Sequence, residues 1–347
     1  MSMNQQWLLA RTPPEGLPLA DDFEWLEGPL PDPDAGQMLT RTIYLSLDPY
    51  QWGRRRRGLE QPGEVCHGRT VAQVLKSNMA YYAEGDFLFN TNGWQSHGLS
   101  GGDAPVFTYM FPRKLDPGAA PLSTAVGVLG MLGLTAYSGL VVQCEPKAGE
   151  TVVVSAASGG VGQVVGQMAK ILGCRVVGIA GRDEKCAFVA NDLGFDACVS
   201  HLSDDLAGNL AAACPDGIDV YFENVGGKTF AAVLEHLNKN SRISRCGLIS
   251  QYGNMDGRDP SEVWLEIGQG VFDKQSCGVF PLAVGNFVAE HQDAFLGQMA
   301  DWLKDGKVKY LEDIRQGLEN TPSVFREMLE GGNFGKTMIQ VSADPTK

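Results

Sequence analysis

The chain has 347 residues, which at roughly 150 residues per domain predicts about two domains. Its 44% hydrophobic and 20% charged residues are typical of a globular protein that folds in water. With 28 Lys and Arg against 41 Asp and Glu, the formal net charge is −13, which argues against nucleic acid or another polyanion as a partner.

The first hundred or so residues predict an irregular domain dominated by β-strands. Residues 39–45 are rich in strand-forming side chains, and residues 71–75 form a second apolar run. Turn-forming residues at 31–34 and 101–103 punctuate this part of the chain.

Residues 125–142 are largely apolar and long enough to cross a bilayer. Four glycines, a central Thr135 and the lack of a basic cluster at either end favour a buried core helix instead. The first residues lack the charged and apolar layout of a signal peptide, and none of the eight cysteines forms a CxxC pair. We therefore expect a cytoplasmic protein with free thiols and no membrane association.

From Thr151 onward, strand and helix patterns alternate. The apolar strands are predicted at residues 151–155, 175–180, 197–199, 219–222 and 242–249. Apolar strands separated by helices indicate a parallel sheet with both faces covered. The tail predicts a helix with Thr321 as its cap and Pro322 at its first position, followed by a strand at 336–341.

The first of these strands runs into a glycine-rich turn and then a helix, as the dinucleotide-binding fingerprint G-x-G-x-x-G requires. The helix has apolar residues at helical spacing, and Gln163, Gln167 and Lys170 are predicted on its solvent side. The glycines would let the pyrophosphate approach the backbone and let the helix pack closely on the strand. The predicted cradle, with alanine at the first glycine position, consists of Ala157, Ser158, Gly159, Gly160, Val161 and Gly162.

The end of the second strand predicts which cofactor binds. An NAD site carries an acid there for the ribose 2′-hydroxyl, whereas this chain has Gly181 followed by Arg182 and Lys185. Two cations favour the 2′-phosphate of NADP(H). The alternative is that both are solvated charges at the start of a helix.

With these motifs in hand, the sequence resembles the zinc-independent medium-chain dehydrogenase/reductases, in the branch of NADPH-dependent prostaglandin, curcumin and alkenal/one double-bond reductases. The resemblance implies a GroES-like β-rich catalytic domain, residues 1–121 and 300–347, clasping a doubly wound Rossmann α/β domain, residues 122–299. The matching segments, which span nearly the whole chain, lie at residues 44–50, 133–137, 156–166, 181–186, 221–227, 246–252, 317–320 and 332–336.

The resemblance also implies roles for residues outside the glycine-rich turn. It places Asn224 and Tyr252 beside the nicotinamide ribose and Asn333 near the cofactor. His201 stands where the branch usually has a tyrosine on the 2′-phosphate. Residues 51–52, Gln-Trp, replace the usual Met-Arg and leave the identity of the substrate open.

A zinc site is not expected. A zinc alcohol dehydrogenase needs Cys and His ligands with a third Cys, but Cys66 and His67 are the only suggestive pair here. We interpret both as packing residues, so hydride chemistry must proceed without a metal.

Without a metal, reduction of a carbon–carbon double bond conjugated to a carbonyl is easier than reduction of a simple ketone, because hydride addition at the β-carbon gives an enolate. The hydroxyls of Tyr50 and Tyr252, with a pKa of about 10, would stabilise and protonate that enolate. Alternatively, the two rings only line the cleft, and water or the ribose donates the proton.

We therefore predict an NADP-dependent oxidoreductase that reduces the carbon–carbon double bond of a small enone. We expect it to be a homodimer. A quinone reductase of the same fold and a non-enzymatic NADPH-binding protein stay open as alternatives.

Four adjacent arginines, residues 54–57, are the most unusual local feature of this acidic chain. Most such runs are solvated. Their position just after Tyr50 raises a second possibility, that a guanidinium pairs with a substrate carboxylate.

Overall fold

The computed structural model describes residues 3–101, 111–253 and 258–347. The chain divides into two compact units, Met1–Met131 with Glu312–Lys347 and Leu132–Leu311. We call them the catalytic unit and the Rossmann unit. The dividing points lie after residues 131 and 311, whereas the sequence placed them after residues 121 and 299.

The catalytic unit is rich in β-strands. Its helices are α1 (Tyr50–Arg56) and α9 (Thr321–Leu329), with 3-10 turns at Ala20–Asp22, Leu122–Val126 and Leu318–Asn320. Its strands within the described ranges are β1 (Met3–Leu9), β2 (Phe23–Pro29), β3 (Gln37–Ser46), β4 (Thr70–Ser77), β5 (Phe87–Asn90), β6 (His97–Gly101), β7 (Arg113–Leu115), β14 (Glu312–Gln316) and β15 (Lys336–Gln340).

Strands β1 and β2 pair with each other, and most of the other strands form one sheet in the order β14-β15-β3-β4-β5-β7, with β6 also paired to β3. The long strand β3 lies near the centre of this sheet, so nearly all of its side chains are buried. The tail strand β15 pairs antiparallel with β3, with Met338 opposite Ser46. The two ends of the sequence therefore build one domain, as the resemblance implies.

The Rossmann unit alternates strands and helices. Its helices are α2 (Met131–Tyr137), α3 (Gly162–Ile171), α4 (Asp183–Asn191), α5 (Leu206–Ala213), α6 (Gly227–Leu234), α7 (Pro260–Gln275) and α8 (Val288–Lys304). Its strands are β8 (Thr151–Ser155), β9 (Arg175–Ala180), β10 (Ala197–Ser200), β11 (Ile218–Glu223), β12 (Leu237–Arg245) and β13 (Gly278–Pro281). Further single turns are 3-10 helices at Ile249–Gln251 and Val284–Phe287.

These strands form a parallel sheet in the order β10-β9-β8-β11-β12-β13. This is the doubly wound order, in which the chain turns from one half of the sheet to the other between β8 and β11. Every residue of β8 is buried, because a central parallel strand has both faces covered by helices. The strand ends on either side of this switch point are where an open parallel sheet binds ligands.

The boundary between the units follows from two buried glutamines. The side chains of Gln163 and Gln167 bind the backbone of Leu311 and Lys309, so the chain up to residue 311 packs with helix α3. The prediction that these glutamines face solvent is wrong, since they are only 2% and 4% exposed. Their side-chain amides instead hydrogen-bond backbone groups that burial removes from contact with water.

Two local predictions need correction. Residues 125–142 are mainly buried, but they form a 3-10 turn, helix α2 and a π-helix at Ser138–Cys144 rather than one helix. Strand β12 begins at Leu237 and ends at Arg245, earlier than the predicted 242–249. Within the described ranges, no helix has both the length and the apolar character needed to cross a bilayer.

The start of helix α9 also differs from the prediction. Thr321 is its first residue rather than its cap, and its hydroxyl donates to the carbonyl of Leu318. A preceding 3-10 turn therefore replaces the predicted side-chain cap.

Helix α3 depends on a glycine that faces a phenylalanine ring. A Cβ at Gly166 would lie 1.8 Å from the Phe195 ring, whereas a Cβ at Gly297 in α8 would meet nothing within 4 Å. We expect Gly166→Ala to lower the free energy of unfolding by about 1 to 3 kcal/mol. Gly297→Ala should raise it by about 0.5 to 1 kcal/mol, since alanine favours a helix interior. Urea unfolding of both variants measures this, and equal effects would contradict the packing of α3 described here.

Candidate active site

The glycine-rich turn follows β8 through a backbone conformation that few residues adopt. Ala156 has φ of 50°, in the left-handed region, and the N–H of Ala157 donates to the carbonyl of Ile179 on the neighbouring strand at 3.0 Å. A Cβ at Gly162 would lie 2.3 Å from the carbonyl oxygen of Ala156, so only glycine allows α3 to start this close to β8. The turn thus brings the first N–H groups of α3 to the end of the central strand, where they can receive a phosphate.

The end of β9 carries the residues predicted to select the cofactor. Gly181 lies against His201, whose Nε2 would be 3.3 Å from a Cβ there. The Arg182 side chain is 63% exposed and lies 3.5 Å from Glu184, so it is open to a ligand. Lys185, in contrast, is only 9% exposed.

Lys228 supplies a third positive charge near the end of β9, after Arg182 and Lys185, and acts on His201. Burial lowers the pKa of His201 below its ordinary value, and the charges of Lys228 and Lys185 lower it further. His201 is therefore neutral near pH 7 and lies within the electrostatic reach of two lysines. Sequence reasoning missed Lys228, although its position directly after Gly226 and Gly227 at the start of α6 was the available signal.

The loop after β11 is held by the carboxylate of Glu223, which is fully buried. It accepts hydrogen bonds from the Ser155 hydroxyl at 3.0 Å and from the backbone N–H of Val225 at 2.7 Å. The other donors are the Tyr221 hydroxyl, the Gly226 N–H and the Trp264 indole. These bonds fix the conformation of the residues that follow Glu223, a role that sequence reasoning did not assign.

Asn224 and Tyr252 both follow strands at this edge of the sheet. The Asn224 amide donates to the backbone carbonyl of Ser155 at 2.8 Å, which ties the loop to the end of β8. The hydroxyl of Tyr252 would lie 3.2 Å from a Cβ at Gly247, so glycine leaves room for it. Tyr252 is partly buried, and its ring packs on the apolar core of the Rossmann unit.

In the catalytic unit, Tyr50 begins α1 and pairs with a buried histidine. Its hydroxyl lies 2.8 Å from Nε2 of His67, which is 5% exposed. Burial holds the pKa of His67 well below its usual 6.5, and the charges of Arg69, Arg54 and Arg55 act in the same direction. A neutral imidazole therefore holds the tyrosine hydroxyl, so the interpretation of His67 as a packing residue is incomplete.

The arginine run is not a solvated surface. Arg55 is fully buried, stacks over Trp94 at 4.2 Å and binds Glu60 at 3.1 Å. Arg54 also pairs with Glu60 at 3.3 Å and is 11% exposed. Arg57 is exposed, whereas Arg54 and Arg56 are partly buried, so burial differs from one residue of the run to the next. Pairing of a guanidinium with a substrate carboxylate stays a prediction.

The donor set does not fit a zinc ion. Burial raises the pKa of the Cys66 thiol to about 12, so Cys66 is a protonated thiol in this structure. Residues 3–101, 111–253 and 258–347 contain no group of three Cys, His, Asp or Glu placed to hold a metal.

The predicted site residues fall into two sets. The Rossmann unit gathers most of them at the carboxyl ends of β8, β9, β10, β11 and β12. The catalytic unit holds Tyr50 and Asn333, whose amide donates to the Gly335 carbonyl at 3.0 Å.

Known proteins resemble both parts of the chain. The family described as "N-terminal domain of oxidoreductase" matches residues 5–107, and "Zinc-binding dehydrogenase" matches residues 160–266. The NADPH-dependent curcumin reductase of Escherichia coli (strain K12) is 42% identical, over 98% of this chain and 98% of that protein. The NADP(+)-dependent 2-alkenal reductase of Nicotiana tabacum is 37% identical, over 89% of each. The chain belongs to the medium-chain dehydrogenase/reductase family.

A solved structure of this family confirms the predicted fold class. CurA from Vibrio vulnificus in complex with NADPH is 40% identical and has a TM-score of 0.89, over 98% of this chain and 100% of that one. The predicted resemblance to the curcumin reductase branch is confirmed as well.

The low pKa of His67 has a consequence for stability. Between that pKa and 6.5 the unfolded chain binds a proton that the folded chain does not, so the free energy of unfolding falls as the pH drops below about 6.5. We expect His67→Gln to reduce this slope in urea unfolding measured from pH 8 to pH 5. Tyr50→Phe should keep it, because the histidine stays buried, and an unchanged slope in His67→Gln would contradict the assignment.

Proposed function

We propose that this protein is an NADPH-dependent reductase of carbon–carbon double bonds conjugated to a ketone or aldehyde. The observation that carries this proposal is the cradle at the switch point, where the glycine-rich turn after β8 lies beside the end of β9. There Gly181 stands where an NAD site has its acid, and Arg182 and Lys185 follow it. The named activities of the curcumin and 2-alkenal reductases, which resemble the chain over nearly its full length, support it.

Four sets of residues would hold the cofactor. Within the turn from Ala157 to Gly162, the N–H groups of Ala157 and Gly159 already donate to backbone carbonyls, and the other N–H groups of the turn would meet the pyrophosphate. Arg182, Lys185, His201 and Lys228 would surround the 2′-phosphate. Asn224 and Tyr252 would lie beside the nicotinamide ribose. Asn333 would contribute from the catalytic unit.

The residues of the chain have one electrostatic task in this reaction. NADPH supplies the hydride that adds at the β-carbon of the enone, which leaves negative charge on the carbonyl oxygen. A tyrosine hydroxyl stabilises that charge as a hydrogen-bond donor and can pass its proton to the α-carbon, since an enolate is a stronger base than a phenolate. We assign this task to Tyr252 together with Tyr50, whose hydroxyl the neutral His67 keeps in place.

The activity is tested by following NADPH oxidation with an enone panel, a quinone panel and no acceptor. We expect turnover with the enones. Turnover with quinones alone would identify a quinone reductase instead, and binding of NADPH without turnover of any acceptor would indicate a non-enzymatic role.

Cofactor preference is expected to depend on Arg182 and Lys228. Arg182→Ala should weaken NADPH binding by about 1.5 to 3 kcal/mol, the range for a hydrogen bond to a charged group, and should leave NADH binding almost unchanged. Lys228→Gln should act in the same direction. Lys239→Gln removes an exposed charge near the opposite end of the parallel strands and serves as the control. Equal efficiency of the unmodified protein with NADH and NADPH would contradict the assignment.

The tyrosine assignment is tested by removing each hydroxyl. Tyr252→Phe and Tyr50→Phe keep the ring, so loss of the proton donor should lower kcat more than it changes the KM for the enone. If both variants and the double variant keep full turnover, neither tyrosine donates the proton, and the two rings only line the substrate site.

Metal independence is tested by chelation. We expect unchanged activity after treatment with a chelator and no stoichiometric zinc by elemental analysis. One zinc per chain, with activity lost when it is removed, would contradict this expectation.

We also propose that the protein works in the cytoplasm as a homodimer. All eight cysteines are free thiols, as a reducing compartment favours. Strand β13 ends one side of the parallel sheet and offers an edge to a second copy. Light scattering during size-exclusion chromatography measures the mass of the eluting protein and therefore its oligomeric state.

A further inference from the structure

Two cysteines of the Rossmann unit form a thiol pair beside the proposed site of the 2′-phosphate. Cys186 lies in the first turn of α4 and Cys198 lies on β10, and their side chains are hydrogen-bonded to each other. Backbone hydrogen bonds from Ala180 on the intervening strand β9 reach both sulfur atoms.

One of the two thiols lies against a glycine of the neighbouring strand. Cys198 lies opposite Gly178 of β9 in the parallel ladder, and a Cβ at Gly178 would be 3.2 Å from the Cys198 sulfur. The missing side chain at Gly178 leaves room for Val189 and Ala157, whose atoms would be 2.7 and 2.9 Å from such a Cβ, as well as for the Cys198 thiol. Both cysteines are half-buried, so a small reagent can reach them.

The pair is chemically asymmetric. The hydrogen bond from Cys198 lowers the pKa of Cys186 and raises that of Cys198. Cys186 is therefore the thiol that more readily forms a thiolate, the nucleophilic form of cysteine.

The position of the pair connects it to the cofactor. Cys186 directly follows Lys185 and lies four residues after Arg182, while Cys198 precedes His201 by three residues. A covalent bond between the two sulfur atoms would fix the first turn of α4 to β10, and the same two segments carry the cations around the 2′-phosphate.

We propose that Cys186 and Cys198 form a reversible disulfide on reaction with a peroxide, and that this bond weakens binding of NADPH. The Cys186 thiolate attacks one oxygen of hydrogen peroxide, which releases hydroxide and leaves a sulfenic acid. The Cys198 thiol then attacks the Cys186 sulfur, its proton leaves with the departing hydroxyl as water, and the S–S bond forms. A dithiol reductant returns both thiols.

The first measurement does not depend on the proposed function. The full-length reduced protein is treated with hydrogen peroxide and cleaved before aspartates, because Asp192 and Asp196 separate the two cysteines and Asp204 separates them from Cys214. We expect the peptides of Cys186 and Cys198 to be joined, with a mass lower by two hydrogens. Peroxide that leaves both thiols intact, or that gives only a sulfinic acid at Cys186, would overturn the proposal.

The second measurement, which rests on the proposed cofactor site, is an NADPH titration of the reduced and oxidised protein. We expect Kd for NADPH to rise roughly fivefold or more on oxidation, within the usual range of coupling between sites, and to recover with dithiothreitol. Cys186→Ser and Cys198→Ser should each abolish the response to peroxide, and Cys277→Ser, which changes another half-buried cysteine, should retain it. A bridge that leaves Kd unchanged would overturn the coupling alone. A reduced protein that does not bind NADPH at all would refute both the cofactor site and the coupling.

Discussion

The buried carboxylate of Glu223 holds together the strand ends on which the candidate site depends. It is fully buried, where a charge is tolerated only when its oxygens are hydrogen-bonded, and five donors from β8, β11, α7 and the following loop meet that requirement. Ser155 ends β8, Tyr221 lies on β11, and Val225 and Gly226 lie in the loop after β11, so four of the five donors are in elements that carry the site. The energetic need to satisfy one charge thus fixes the geometry of the loop that carries Asn224.

The Rossmann unit combines a strongly acidic chain with a local cluster of cations. The net charge of −13 repels anions at long range, but solution ions screen this repulsion within about 10 Å. Lys185 and Lys228 act at short range on His201, so the local field there favours a phosphate. An anionic cofactor is therefore compatible with an acidic protein, because recognition depends on where the cations lie and not on the total charge.

The catalytic unit places charges in its interior in another way. Arg55 contacts Trp94 and the carboxylate of Glu60, which in turn accepts the backbone N–H of His67. Lys336 of the tail forms an ion pair with Asp48 at 2.8 Å, with both side chains less than 5% exposed. Breaking a buried pair leaves an uncompensated charge, so these contacts hold the segment around Tyr50 in one conformation.

The sequence alone determined the features that depend on local pattern. The alternation of apolar strands with helices predicted the parallel sheet, and β8 and β9 match their predicted limits because strands covered on both faces are continuous apolar runs. The sequence also predicted the glycine-rich turn and the residues after β9. The backbone of a phosphate-binding turn requires glycines at fixed spacing, and a sequence pattern shows that spacing directly.

Only the tertiary structure decided the roles of side chains whose partners are far away in the sequence. Gln163 looked solvated, yet it binds Leu311, and the arginine run looked like surface, yet Arg55 lies in the core. Glu223 carried no signal that separated it from other charged residues, and the only signal for Lys228 was its position directly after two glycines at the start of α6. A periodic pattern records which face of a helix or strand is apolar. It does not record which buried polar atom meets which, because that depends on contacts between residues far apart in the chain, such as Gln163 and Leu311, which are 148 positions apart, and Asp48 and Lys336, which are 288 apart.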